Sequence, residues 1–90
     1  MSKKRGIPLP HLNLNQGDFK HEFNPELDGC DYEVAIEYKL GGVPRDFVSP
    51  LEEIGVIGDI FYAINQNLPY RYKYPIKHIK KAYLVPMEMK

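Results

Sequence analysis

The sequence has little that would place the protein outside the cytoplasm. It contains a single cysteine, Cys30, which cannot form a disulfide within the chain, so nothing points to an oxidising compartment. No apolar run approaches the roughly 20 residues that a membrane span needs. The basic first residues are followed by prolines and polar side chains, not by the apolar stretch of a signal peptide. We therefore expect a soluble, cytoplasmic protein with no membrane partner.

Catalytic and metal-binding motifs are also lacking. The three histidines and the one cysteine occur singly, and no two of them have the spacing of a zinc site. Glu33 and Glu37 fall on the outward face of a predicted strand, where nothing supplies the burial that acid–base catalysis requires. The glycines at 41–42 are typical of a hairpin turn and not of a phosphate-binding loop. We predict no catalytic residue, no cofactor, no metal and no enzymatic activity.

The chain has no net charge, but its charges are sorted by position. Residues 1–16 carry three cations and no carboxylate, residues 17–59 carry eleven carboxylates against three cations, and residues 60–90 carry six cations against one carboxylate. Such sorting bears on binding partners and on association, not on fold. The apolar share of 43%, with seven tyrosines and four phenylalanines, is enough for one folded domain.

Alternating apolar residues predict four strands in an α+β domain spanning residues 1–90. A proline-punctuated, extended arm over 1–31 precedes a body over 32–90. Strict alternation predicts a strand from Tyr32 to Leu40, which turns at 41–42 into a short returning strand. That register places Arg45 opposite Tyr38 on the inner face, where it would pair with Glu53 or stack on Tyr38. Further strands are predicted at residues 70–74 and 79–85, the latter central in its sheet and ended by Pro86.

The segment about 50–67 is predicted to be the single helix. Ser49, Pro50 and Glu52 have the spacing of a capping box with proline in the first turn. Leu51, Ile54 and Phe61 then recur on one helical face. The order strand, strand, helix, strand, strand is that of a β-grasp-like arrangement, in which one amphipathic helix packs on a mainly antiparallel sheet.

The segment 70–81 carries the candidate binding residues, because aromatic and cationic side chains alternate along it. Flat rings and cations are what single-stranded nucleic acid requires. The alternative is that the tyrosines pack inward while the cations form the solvated face of the same strand. The candidates for binding a protein partner or a nucleic acid are Tyr70, Arg71, Tyr72, Lys73, Tyr74, Lys77, Lys80 and Lys81.

A small binding protein that acts through protein–protein interaction is the leading functional hypothesis. The size and composition resemble those of stand-alone accessory or inhibitor proteins of phages and mobile elements. The partner would be a host protein or a second copy of this chain, since segments of opposite charge favour a homodimer. The alternative is a small nucleic-acid-binding protein that uses the segment 70–81, which the acidic region 17–59 disfavours by repelling phosphate.

Overall fold

Two antiparallel β-sheets make up most of the protein. The computed structural model describes residues 12–87. Its elements are β1 (Phe19–Glu22), α1 (Pro25–Asp28), β2 (Asp31–Tyr38), β3 (Asp46–Val48), β4 (Leu51–Ile57), β5 (Ile60–Asn65), β6 (Arg71–Pro75), a 3₁₀ turn (Ile76–His78) and β7 (Ile79–Met87). The predicted α+β class is therefore wrong, since the described residues hold one four-residue helix and a single 3₁₀ turn beside seven strands.

The strands form a four-stranded sheet in the order β1-β4-β5-β6 and a three-stranded sheet in the order β3-β2-β7. Every strand pairing is antiparallel. The chain passes from one sheet to the other three times: between β1 and β2 through α1, between β3 and β4 through the cis peptide bond Ser49–Pro50, and between β6 and β7 through the 3₁₀ turn. One apolar core takes side chains from both sheets, and its largest fully buried members are Phe61, Ile36, Leu51, Ile54, Val34 and Val56.

The predicted helix over 50–67 is instead the hairpin β4–β5. A register shift between Leu51 and Glu53 adds one residue to β4, so Leu51 and Ile54 both point into the core although they are three positions apart. That spacing imitates a helical face. The hairpin reverses at Gly58, whose φ of 64° suits the first central position of a two-residue turn.

Tyr62 and Gly55, on the outer face of the same hairpin, account for the other residues that had suggested an apolar helix face. Tyr62 is 3% exposed although it lies outside the core cluster, because its ring covers Gly55 on the neighbouring strand. A Cβ on Gly55 would lie 2.5 Å from the carbonyl oxygen of Phe19 and 2.6 Å from a ring carbon of Tyr62. Glycine at this position is therefore a packing requirement of the sheet and not a sign of helix contact.

The strand predicted at Tyr32–Leu40 is present as β2, but its partner is shifted by one residue. Phe47 pairs with Ala35 and Asp46 with Ile36, and residues 39–45 form a loop in place of the predicted two-residue turn. The shift reverses the face of every residue in the returning strand. Arg45 consequently lies outside the core, where its Nε is 3.7 Å from Glu37 and its guanidinium donates to the hydroxyl of Tyr83. The predicted contacts of Arg45 with Glu53 or Tyr38 are wrong.

The two C-terminal strands are found close to their predicted positions, as β6 and β7. However, β7 is at an end of its sheet and not central, and it continues through Pro86 to Met87. The predicted arm holds β1 and α1, with Asn24 capping the latter through hydrogen bonds from the amides of Glu26 and Leu27. The first part of that arm, residues 1–11, lies outside the described residues.

Candidate functional site

The structure distributes the eight predicted binding residues over three places. Arg71 and Lys73 are exposed on the outer face of the four-stranded sheet, in line with Ile64 and Tyr62 of β5. Alternate residues of β6 face inward, so Tyr74 is 8% exposed in the core and Tyr72 is half-buried against it. Tyrosines and cations of β6 therefore lie on opposite faces of the strand.

The tyrosines do not form a row of exposed rings. The ring of Tyr74 packs 6.3 Å from Phe61, and burial raises its pKa strongly. Tyr70 is 59% exposed and meets Tyr72 edge to face, with ring centroids 4.7 Å apart. Tyr70 thus presents an exposed ring, while Tyr72 and Tyr74 serve the core.

Arg71 has a local structural role. Its guanidinium lies 4.5 Å from the ring centroid of Tyr62, whose hydroxyl donates to Oε2 of Glu53 at 2.5 Å. Burial, and then the hydrogen bond to Glu53, raise the pKa of Tyr62 to about 12. A cation over an aromatic face is favourable by about 0.5–1 kcal/mol at an exposed site. The contact fixes Arg71 on the outer sheet face beside Lys73, and the three remaining predicted lysines lie elsewhere, around a separate groove.

Lys77, Lys80 and Lys81 come together with Lys39 around a single groove, which we call the lysine groove. Its volume is about 750 Å³. The walls are residues 12–15 and 17, the β4–β5 turn, the 3₁₀ turn, the start of β7 and the residue that follows β2. All four lysines are exposed, while the apolar side chains between them, Leu14 and Ile79, are buried.

Backbone hydrogen bonds hold these walls together. The amide of Lys39 donates to the carbonyl of His78 at 3.0 Å, and the amide of Ile76 donates to the carbonyl of Asp59 at 2.9 Å. The amide of Leu12 donates to the carbonyl of Ala82 at 2.8 Å. The groove is therefore built from segments far apart in the sequence, but its walls are fixed to one another by the main chain.

A bulge in the β2–β7 pairing sets the direction of two of the lysines. Glu37 pairs with Lys81 and Tyr38 with Ile79, so Lys80 is an extra residue on β7. Ile79 can then point into the core while both Lys80 and Lys81 remain exposed. A regular strand would have turned one of the two lysines inward.

The charge of the groove is not balanced within the described part of the chain. The ion pairs found between residues 12 and 87 are Lys20–Glu22 at 3.5 Å and Arg45–Glu37 at 3.7 Å, and neither involves a groove lysine. Among the described lining residues, Asp59 is the one carboxylate. Four lysines therefore line a shared space that contains a single described acid, although the ammonium group of Lys81 also lies 5.7 Å from the ring centroid of Tyr83, which is not among the described lining residues.

An apolar depression adjoins the lysine groove and shares two of its lysines. It is lined by Tyr38, Lys39, Leu40, Val43, Lys77 and His78, and its volume is about 490 Å³. Leu40 is 72% exposed and Val43 is 41% exposed. Both residues belong to the loop between β2 and β3, which the sequence had predicted to be a tight hairpin.

The remaining candidate ligands stay apart. Among residues 12–87 there is no group of three or more histidine, cysteine or acidic side chains that could hold a metal ion. His21 points to the inner side of β1, where Nε2 has no hydrogen-bond partner among the described residues and burial lowers its pKa. The described residues also contain no helix long and apolar enough to cross a membrane.

Sequence reasoning missed Lys39 and the part played by residues 12–15 and 17. Lys39 is 38 positions before Lys77 in the sequence, and only the antiparallel pairing of β2 with β7 brings them together. The useful signal was the pair of long alternating runs at 32–40 and 79–85, whose pairing would have placed residue 39 beside residue 78.

Comparison of the chain with protein-family models, with curated proteins and with solved structures found no match.

Proposed function

We propose that the protein is a non-enzymatic binding protein that holds an acidic segment of a partner protein in the lysine groove. The observation that carries this proposal is the convergence of four lysines, from the end of β2, the 3₁₀ turn and β7, on one concavity with no described ion pair. Like charges gathered without partners oppose folding, whereas a ligand that supplies carboxylates removes that repulsion.

The chemistry of lysine favours a ligand with several carboxylates over one small anion. An ammonium group on a flexible stem is a point charge without the fixed fork of a guanidinium. Tight sites for single anions use such forks or convergent backbone amides, and the groove is lined by lysines without arginine. Several mobile ammonium groups suit a chain that carries several carboxylates.

An acidic protein segment also fits better than a nucleic acid. Single strands are bound by aromatic stacking beside cations, but Tyr72 and Tyr74 pack inward, on the opposite side of β6 from its cations. Asp59 lines the groove, and Asp18 lies next to it, where its carboxylate accepts a 2.8 Å hydrogen bond from the amide of Gly58. These two acids would repel any anionic ligand, carboxylate or phosphate, within a Debye length of about 8 Å, so the inward-facing tyrosines are what favour a protein segment over a nucleic acid.

The groove offers little for catalysis by a hydroxyl, thiol or imidazole. Its described lining contains no serine, cysteine or histidine, so a nucleophile with an adjacent general base is not formed there. This supports a binding role and not an enzymatic one.

Fluorescence anisotropy with a labelled hexaglutamate peptide tests the proposal. We expect binding at low salt that weakens as salt rises, and at least a tenfold loss of affinity in the variant Lys77→Glu/Lys80→Glu. Neither lysine is paired across a strand with an acid, so reversal creates no new clash within the sheet. The control is Lys73→Glu, which reverses one cation of the same basic segment on another face, half the charge change of the double variant, and should change affinity less than twofold.

Two results would overturn the proposal. One is the absence of any hexaglutamate binding to the wild-type protein at low salt. The other is tighter binding of a single-stranded or duplex oligonucleotide than of the peptide, with a steep salt dependence, which would assign the groove to nucleic acid.

A further inference from the structure

We infer that the acidic segment also carries a large aliphatic side chain, which binds in the apolar depression next to the lysine groove. This inference rests on the proposed function, because it names a second feature of the same ligand. The ligand class is therefore an acidic peptide segment interrupted by a leucine-like residue, not a uniformly acidic one.

The depression has the character of a side-chain pocket. Leu40 and Val43 form its apolar surface, and Tyr38 supplies part of its wall. Tyr38 is held in place because its hydroxyl donates to Asp46. Leu40 keeps 72% of its surface exposed, so a ligand side chain packed against it would remove apolar area from water that folding leaves exposed.

Continuity with the lysine groove identifies the occupant. Lys39 and Lys77 line both the groove and the depression. A peptide whose carboxylates meet these two ammonium groups therefore runs past Leu40 and Val43. An apolar anchor in a pocket, flanked by charged contacts, is the usual anatomy of a protein interface.

The depression distinguishes this ligand from an anionic membrane surface, which lysines and exposed leucines also attract. A membrane is contacted by apolar side chains that protrude from the protein. Here Leu40 is 72% exposed, but it lies at the edge of an open depression of about 490 Å³ that Tyr38 and Val43 also line, with lysines at its border. A concave site receives a side chain better than it penetrates a bilayer.

Two labelled heptapeptides of equal charge test the inference: Glu-Glu-Glu-Leu-Glu-Glu-Glu and the same peptide with alanine at its centre. Against the wild-type protein we expect the leucine peptide to bind about tenfold more tightly, which corresponds to burying about three methylene or methyl groups in part. In Leu40→Ser that preference should fall below twofold, while the affinity of the alanine peptide stays unchanged.

Leu27→Ser is the matched control. Leu27 is 68% exposed, comparable to Leu40, but it belongs to α1 and lines neither the lysine groove nor the apolar depression. The tenfold preference should be preserved in this variant. A general loss of stability from an exposed leucine-to-serine change would affect both variants and both peptides alike.

The outcomes separate the two proposals. If neither peptide binds the wild-type protein, the proposed function fails, and this inference with it. If both peptides bind equally, the proposed function stands and the inference is overturned. Sedimentation with vesicles of phosphatidylserine and phosphatidylcholine provides the third readout, since vesicle binding that Leu40→Ser abolishes would assign the depression to a membrane and overturn the inference.

Discussion

Replacing Gly55 by alanine should destabilise the protein strongly, although the added side chain is a single methyl group. Gly55 lies in β4 beneath the ring of Tyr62. The new Cβ would lie 2.5 Å from the Phe19 carbonyl oxygen and 2.5 Å from the Tyr62 hydroxyl. The tyrosine ring can rotate away, but the carbonyl belongs to the backbone of β1, so the edge strand has to move as well.

The magnitude follows from what the displacement breaks. Overpacking costs about 1–3 kcal/mol, and displacing the Tyr62 hydroxyl removes its hydrogen bond to the Glu53 carboxylate, a class worth about 1.5–3 kcal/mol. Against this, alanine restricts the unfolded chain and stabilises by about 0.4–1 kcal/mol. Since relaxation of the ring relieves part of the clash, we expect a net loss of about 2–3 kcal/mol, or about 10–20 °C in Tm for a domain of this size.

Urea and thermal unfolding, followed by far-ultraviolet circular dichroism, measure the effect. Gly41→Ala is the control, because a Cβ there meets nothing within 4 Å and the φ of Gly41 is not positive. We expect the control to match the wild-type protein or to exceed it slightly. The reasoning is refuted if Gly55→Ala is as stable as Gly41→Ala.

Three other predictions concern titratable groups. Burial, opposed in part by Asp28 and Glu22, lowers the pKa of His21 below 6.5. The unfolded chain therefore binds the proton first, and stability should fall as pH drops below about 6.5. Urea midpoints measured between pH 5 and 7.5 should depend less on pH in His21→Gln, and an unchanged pH dependence would contradict the role given to His21. Burial raises the pKa of Tyr38 and of Tyr62 to about 12, so stability should be lost as pH rises from 10 towards 12, and a 295 nm titration in which all tyrosines ionise together near pH 10 in the folded protein would refute this. Lys80→Gln should stabilise the fold by a few tenths of a kcal/mol, because it removes repulsion among the groove lysines, and a stability loss in urea unfolding would argue that Lys80 has a partner in the fold.

Local alternation was enough to predict three strands. In β2 the residues predicted to face inward are buried from Tyr32 to Ile36, although Ala35 on the opposite face is buried as well, and burial also alternates along β6 and most of β7. For these segments the sequence pattern, the backbone conformation and the burial agree. Their pairing partners were not predictable in the same way, because antiparallel register depends on loops, and residues 39–45 adopt a longer loop than Gly41 and Gly42 suggested.

The false helix shows how two local features can imitate a third. The bulge at Glu52 changes the inward parity of β4, and the ring of Tyr62 hides a glycine on the outer face. As a result, both faces of the hairpin carry apolar residues, and in the sequence these residues recur at spacings of three and four, as they would in a helix. Gly58 followed by Asp59 was the contrary signal, since glycine followed by aspartate between two apolar runs is typical of a two-residue hairpin turn.

Part of the candidate site could be predicted from the sequence. Lys77, Lys80 and Lys81 were among the predicted binding residues and do line one groove, while Arg71 and Lys73 lie on another face. Alternation along β6 already implied that its tyrosines and cations would separate. The contribution of Lys39 depends on the β2–β7 pairing and could not be obtained from any local window.

Local contacts explain the positions of the carboxylates in the acidic region better than they explain the positions of the groove lysines. Many carboxylates of the acidic region are accounted for by local contacts: Glu53 accepts from Tyr62, Glu37 meets Arg45, and Asp18 accepts from Gly58. Among the groove lysines, Lys81 has such a contact, since its ammonium group lies 5.7 Å from the ring centroid of Tyr83 and it pairs across the strands with Glu37. The described ion pairs include none of the four groove lysines, and the bulge that exposes Lys80 and Lys81 together increases the repulsion between them. Two ammonium groups about 8 Å apart in water repel by about 0.5 kcal/mol, and a regular strand would have avoided that cost by separating the two lysines. A fold that keeps this bulge and four lysines around one groove has a charge arrangement that suits the acidic ligand we propose.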